Sequence, residues 1–131
     1  MNPSLDIADR PTRILIADDQ RQNRQLLEIM LSQKGFVFLS AARGDEALAI
    51  AAQESPDLIL LDVMMPGMDG YQVAAKIKGN LATKNIPIIM VSGLHDSGAK
   101  MLAKSAGADD FISRPVERAE LLKRVRNLLR R

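Results

Sequence analysis

Two apolar runs that each stop at aspartate constrain this chain more than any other feature. Ile14-Leu15-Ile16-Ala17 ends in Asp18-Asp19, and Leu58-Ile59-Leu60-Leu61 ends in Asp62, with Val63-Met64-Met65-Pro66-Gly67 following at once. A short run that is apolar at every position reads as a strand covered on both faces. In a parallel sheet both runs deliver their carboxylates to one edge, where open α/β sheets place their sites. Three carboxylates gathered there repel one another unless a cation joins them, and hard oxygen ligands of this kind suit Mg2+.

The rest of the chain supports that scaffold. Further strand-like runs are expected at Phe36–Ser40, Ile86–Val91 and Asp109–Ser113, besides Arg13–Ala17 and Leu58–Leu61. Between them lie helical stripes at i, i+3, i+4 spacing. Leu26, Leu27, Met30 and Leu31 form one, Ala47, Leu48, Ala51 and Ala52 a second, and Leu121, Leu122, Val125, Leu128 and Leu129 the clearest. Helices are also expected around Tyr71–Lys78 and Gly98–Ala106. Gly35 and Gly107 stand where helix C-terminal caps belong, and Asp45 and Asp69 near helix starts. Strands alternating with helices imply a five-stranded, doubly wound parallel α/β sheet, (βα)5. The expected organisation is a loose arm over 1–11 and one domain over 12–131.

Bulk properties exclude several alternatives. At 131 residues and 47% hydrophobic content the chain suits one globular domain. It has no cysteine, so thiol chemistry and disulfide scaffolds are out, and a reducing cytoplasm is the expected location. No apolar stretch nears the ~20 residues that span a bilayer, and residues 1–10 do not read as a signal peptide. A net charge of +2 does not argue for nucleic acid. The basic C-terminal run of Lys123, Arg124, Arg126, Arg130 and Arg131 reads as the solvated face of the last helix, so neither direct DNA binding nor membrane binding is expected.

Polar company completes the acidic cluster. Ser92 follows the fourth run and Arg114-Pro115 the fifth, so both fall at the edge that holds Asp18, Asp19 and Asp62. Three carboxylates, a hydroxyl and a cation suit phosphoryl transfer: a carboxylate as nucleophile, a metal and hydrogen-bond donors on the phosphoryl oxygens.

In this order the motifs resemble the receiver domain of bacterial two-component response regulators. The matching pieces are Asp18-Asp19, the stretch from Leu60 to Gly70 around Asp62, Val91-Ser92-Gly93, Gly107-Ala108-Asp109-Asp110-Phe111 and Arg114-Pro115, within roughly residues 12–130. The resemblance implies a flavodoxin-like receiver fold and a set of roles. Asp62 is the phosphoacceptor. Asp18 and Asp19, with Asp62 and the backbone carbonyl of Met64, are the Mg2+ ligands. Ser92 bonds the phosphoryl group and switches together with Phe111, and Arg114 contacts the phosphate. It also implies a histidine kinase or histidine phosphotransfer protein as donor. The surface of the fourth helix, fifth strand and fifth helix then engages a protein partner, an output domain or a second copy in a phosphorylation-dependent homodimer. Such a domain catalyses only its own phosphorylation and dephosphorylation. The chain reads either as a stand-alone regulator or as a receiver from a larger protein.

The chain departs from that family at Arg114, where the pattern has lysine. A planar fork is not interchangeable with an ammonium. Normal phosphorylation, altered switching and near-absent phosphorylation all remain open, and altered switching is the expectation. The resemblance also implies a cis peptide before Pro115. Met64 and Leu94 fall at the positions that flank the hydrolytic water in receivers. Both are apolar, which implies a long-lived phosphoryl-Asp62.

Other readings are weaker. Asp109-Asp110 are expected as a loop or solvated turn at the opposite edge, His95 as an exposed loop residue, and Met64, Met65 and Met68 as local packing. A phosphorylation-independent interaction module is the main alternative, raised by Arg114 pairing with Asp62. A phosphatase of the haloacid dehalogenase-like class needs a second aspartate where Met64 stands, and no glycine-rich phosphate fingerprint occurs.

Overall fold

The computed structural model describes residues 10–32, 35–93 and 98–130. Five strands alternate with five helices: β1 (Thr12–Ala17), α1 (Arg21–Met30), β2 (Phe36–Ala41), α2 (Gly44–Glu54), β3 (Leu58–Asp62), α3 (Gly70–Lys78), β4 (Ile88–Ser92), α4 (Ala99–Ser105), β5 (Asp110–Ser113) and α5 (Arg118–Leu129). The strands form one parallel sheet in the order β2-β1-β3-β4-β5, the flavodoxin-like order of doubly wound folds. The expected fold class is the one observed.

Central strands explain the continuous apolar runs. Every residue of β3 and β4 is buried. Successive side chains on a strand point to opposite faces, and the core divides accordingly. Leu15, Ala17, Ile59, Leu61, Ile88 and Met90 pack with α2, α3 and α4. Ile14, Ile16, Leu58, Leu60, Ile89 and Ile112 pack with α1 and α5. The α5 stripe is as expected: Leu121, Leu122, Val125 and Leu128 are buried.

Several expectations need correction. In α1 only Leu27 and the cap residue Leu31 are buried, while Leu26 is 50% exposed. Ala52 of α2 is exposed. β4 starts at Ile88 rather than Ile86, because Pro87 has no N–H to give the ladder. Gly35 is not the cap of α1, which ends at Met30 with Leu31 as its cap; its positive φ of 96° serves the entry to β2, and its carbonyl accepts the Thr12 N–H. Gly107 fulfils its expectation. It follows α4 at φ 97°, with Gly107 N–H to the Lys104 carbonyl and Ala108 N–H to the Ala103 carbonyl, a Schellman closure. Asp69 caps α3 in a reciprocal box with Gln72, and Asp45 lies in the first turn of α2.

Asp109 lies in the expected bend before β5 and is exposed, but its carboxylate is engaged; Asp110 is a strand residue rather than a turn residue. Asp109 Oδ2 accepts the Ile88 N–H at 2.8 Å and the Lys78 ammonium at 2.8 Å. Asp110 lies in β5 and pairs with Arg124 at 2.5 Å. Among the methionines, Met65 is buried and Met68 packs against the core, but Met64 is 70% exposed. Arg10 and Pro11 are the described part of the expected arm; His95 lies outside the described residues.

Candidate functional site

Strand register brings the acidic residues together. Ala17 lies opposite Leu61, and Asp62 opposite Val91. Asp18 directly follows β1, Asp62 closes β3 and Ser92 closes β4, so all three stand at the C-terminal rim of neighbouring central strands. Arg114 follows β5, and its N–H donates to the Ser92 carbonyl at 2.9 Å. The peptide between Arg114 and Pro115 is cis, as expected.

Asp18 is 1% exposed and Asp62 6%, whereas Asp19 is exposed. One carboxylate oxygen from each lies within 4.8 Å of the others. Hydrogen bonds hold Asp18 from both sides. Its Oδ1 accepts the Gln20 N–H at 2.9 Å, and its Oδ2 accepts Arg114 Nη2 at 2.7 Å. The Asp18 carbonyl accepts Arg24 Nη1 at 2.7 Å. Arg114 Nη1 donates to Asp62 Oδ1 at 3.0 Å. One guanidinium thus spans two carboxylates from two strands.

Burial governs the acidity of both groups. It pushes Asp62 up from 3.8 to about 6; the Arg114 hydrogen bond and charge oppose the shift, and the charges of Asp18 and Asp19 add to it. Burial also raises Asp18, against the Gln20 N–H, the Arg114 charge and an Asn23 hydrogen bond, with Asp19 adding to the rise. Near neutral pH Asp62 is therefore mostly ionised, as a nucleophilic carboxylate must be.

The backbone behind Asp62 is equally constrained. A Cβ at Gly70 would stand 2.2 Å from the Asp62 carbonyl oxygen. The Gly70 N–H donates to the Val63 carbonyl at 2.8 Å, so the start of α3 rests directly on the strand end. Only glycine permits that approach.

The donor set suits a hard divalent cation: three carboxylates converge, two of them nearly dry. A guanidinium already standing across two of them shows that the pocket draws positive charge. Ser92 is fully buried, with its Oγ donating to the Gly93 carbonyl at 3.3 Å. Phe111 is half-buried, pairs with Met90 and packs on the α2–α4 side of the core. Leu94 lies outside the described residues. Sequence reasoning assigned no role to Gln20, Asn23, Arg24 or Gly70. Only Gly70 left a signal, standing directly after a helix-capping aspartate.

A rim of carboxylates at the C-terminal ends of a 2-1-3-4-5 sheet defines a class, and the comparisons agree. The response regulator receiver domain family matches residues 14–126, and the chain belongs to it. It is a receiver domain of the two-component type. Among curated relatives, response regulator PleD of Caulobacter vibrioides is 42% identical over 118 residues, covering 90% of this chain and 26% of PleD. Transcriptional regulatory protein ResD of Bacillus subtilis is 40% identical over 120 residues, covering 92% of this chain and 49% of ResD. The chain thus spans between a quarter and a half of the length of these relatives. Among solved structures, the signal receiver domain of a histidine kinase from Syntrophus aciditrophicus superposes with TM-score 0.83 at 34% identity, covering 90% of this chain and 89% of that one. The receiver domain of sensor histidine kinase PA1611 from Pseudomonas aeruginosa, with a magnesium ion in its active site cleft, gives TM-score 0.84 at 27% identity, covering 92% and 99%. Among the described residues, no helix is long and apolar enough to cross a membrane.

Proposed function

We propose that Asp62 accepts a phosphoryl group from a phosphohistidine on a histidine kinase or phosphotransfer protein, and that this resets the protein's partner-binding surface. The observation that carries the proposal is the convergence of Asp18, Asp19 and Asp62 within 4.8 Å at the strand ends, with Asp62 ionisable near neutral pH. An Asp62 carboxylate oxygen attacks phosphorus. The P–O bond forms as the P–N bond breaks, and the donor imidazole leaves and takes up a proton from water. Asp18, Asp19, Asp62 and the Met64 carbonyl are the candidate holders of Mg2+, which when bound would neutralise charge on the phosphoryl oxygens. Ser92 and Arg114 stand at the same rim to hydrogen-bond those oxygens. Withdrawal of Ser92 toward the phosphoryl group and rotation of Phe111 would then alter the surface of α4, β5 and α5. That surface would engage a partner, an output domain or a second copy. The domain is not an enzyme acting on an external substrate; it acts only on its own aspartate.

The Arg114–Asp62 contact at 3.0 Å favours a second reading, in which the domain signals by binding alone with its acceptor held by the guanidinium. Intact-protein mass after incubation with acetyl phosphate, with Mg2+ or with a chelator, separates the two. A Mg2+-dependent phosphoryl gain that Asp62→Asn lacks supports phosphorylation. No gain in the wild-type protein supports the binding module.

A further inference from the structure

Arg114 does more in this pocket than a surface cation would. Its two terminal nitrogens reach two different carboxylates, Nη2 to Asp18 Oδ2 at 2.7 Å and Nη1 to Asp62 Oδ1 at 3.0 Å. A rigid planar fork makes such a double contact; an ammonium is a single point charge on a flexible stem and does not reproduce it. Asp18 is almost wholly buried, and both its oxygens already hold donors, the Gln20 N–H on one and Arg114 on the other.

A divalent cation that takes Asp18 must therefore share an oxygen with one of these donors or displace it. Sharing with Arg114 puts two cations against one atom in a poorly solvated pocket, where like charges repel strongly. Sharing Oδ1 with the neutral Gln20 N–H leaves the guanidinium on the other oxygen of the same carboxylate, where the same repulsion acts on the metal. The Arg114 side chain can move aside: it is 27% exposed and has an open side toward solvent, while its backbone stays anchored to the Ser92 carbonyl.

We infer that Arg114 is a built-in counter-ion that competes with Mg2+ for Asp18 and Asp62, so that the metal enters only as the guanidinium releases at least one of the two carboxylates. The inference rests on the proposed Mg2+ pocket and adds to it a resting state held shut by the protein's own cation. Coupling of this kind is reciprocal. Metal binding frees the Arg114 side chain, and a held Arg114 weakens the metal by the same factor.

The test is calorimetric titration of the full chain with Mg2+ at fixed ionic strength, for wild type, Arg114→Lys and Arg114→Gln, each checked for fold by circular dichroism. In parallel, the Arg114 Nε–Hε resonance of the wild-type protein is followed during the titration and assigned by its absence in Arg114→Lys. Arg114→Lys should bind Mg2+ roughly fivefold to tenfold more tightly than wild type, and Arg114→Gln at least as tightly as Arg114→Lys. The Arg114 resonance should shift as metal saturates the site. Equal or weaker binding by Arg114→Lys, or an Arg114 resonance that ignores Mg2+ while the metal binds, overturns the inference and leaves the metal pocket intact. Absence of Mg2+ binding in all three proteins overturns the pocket itself, and the inference with it.

Discussion

The sheet carries aspartates at both rims, and the two sets are used differently. At the N-terminal rim each carboxylate settles a strand. Asp57 Oδ2 accepts the Arg13 N–H at 2.8 Å, tying β1 to the start of β3. Asp109 Oδ2 accepts the Ile88 N–H at the start of β4 and the Lys78 ammonium. These groups satisfy strand-end donors that would otherwise be orphaned. At the C-terminal rim, Asp18 and Asp62 are buried deeper, share one guanidinium, and have pKa values pushed up by burial. One rim uses carboxylates to finish the fold. The other holds them at a cost to stability, which is the mark of a site.

Four variants probe that difference, from the most damaging to the mildest. Gly70→Ala drives a methyl into the Asp62 carbonyl oxygen, where a Cβ would stand 2.2 Å away. Displacing α3 from β3 should cost on the order of 3 kcal/mol or more, read as a lowered urea midpoint. A midpoint near wild type would mean that the strand end yields easily.

Asp109→Ala leaves the Ile88 N–H without its acceptor and takes the carboxylate from Lys78, which keeps the Ile86 carbonyl, and should cost about 2 kcal/mol. Mg2+ affinity should not change. A changed affinity would break the division between the rims.

Asp62→Asn should act in the opposite direction. A carboxyl raised from 3.8 to about 6 on folding lowers stability as pH rises through that window, and the full penalty stands above pH 6. In metal-free buffer at pH 7.5, Asp62→Asn should therefore be more stable than wild type, by about 3 kcal/mol. The gain should fade as pH falls from about 6 to about 4. A variant less stable than wild type at pH 7.5 would show that the Arg114 contact outweighs burial.

The smallest effect concerns hydrolysis. Met64, two residues past the proposed acceptor, is 70% exposed, and an apolar side chain there cannot orient water. Replacing Met64 with Asn and Leu94 with Glu should shorten the phosphoryl-Asp62 lifetime several-fold, equivalent to about 1 kcal/mol of barrier. An unchanged decay rate contradicts the assignment.

What the sequence disclosed follows from what is local. Ile14–Ala17 and Leu58–Leu61 are apolar because both strand faces are covered, and each meets an aspartate where the strand leaves the core, so the fold and the acidic rim are legible together. Contacts between distant segments are less legible: the pairing of Arg114 with Asp62 is expected from their shared rim, but its reach to Asp18 is not. Arg114 and Asp18 are 96 positions apart, and no local pattern shows one guanidinium reaching two carboxylates. Asp109 reads correctly as a turn residue, but its contacts do not show, because Ile88 and Lys78 are brought to it by the sheet and by the end of α3. Leu26 and Met64 show the reverse limit. Both are apolar, and position alone leaves them in solvent rather than in the core.

The most direct test of the functional rim is one acetyl phosphate incubation with Mg2+, read by intact mass, on wild type, Asp62→Asn and Asp109→Asn. The expected result is a single phosphoryl gain in wild type and Asp109→Asn and none in Asp62→Asn. A gain that persists in Asp62→Asn, or one lost only in Asp109→Asn, would contradict the assignment of phosphoacceptor chemistry to the C-terminal rim.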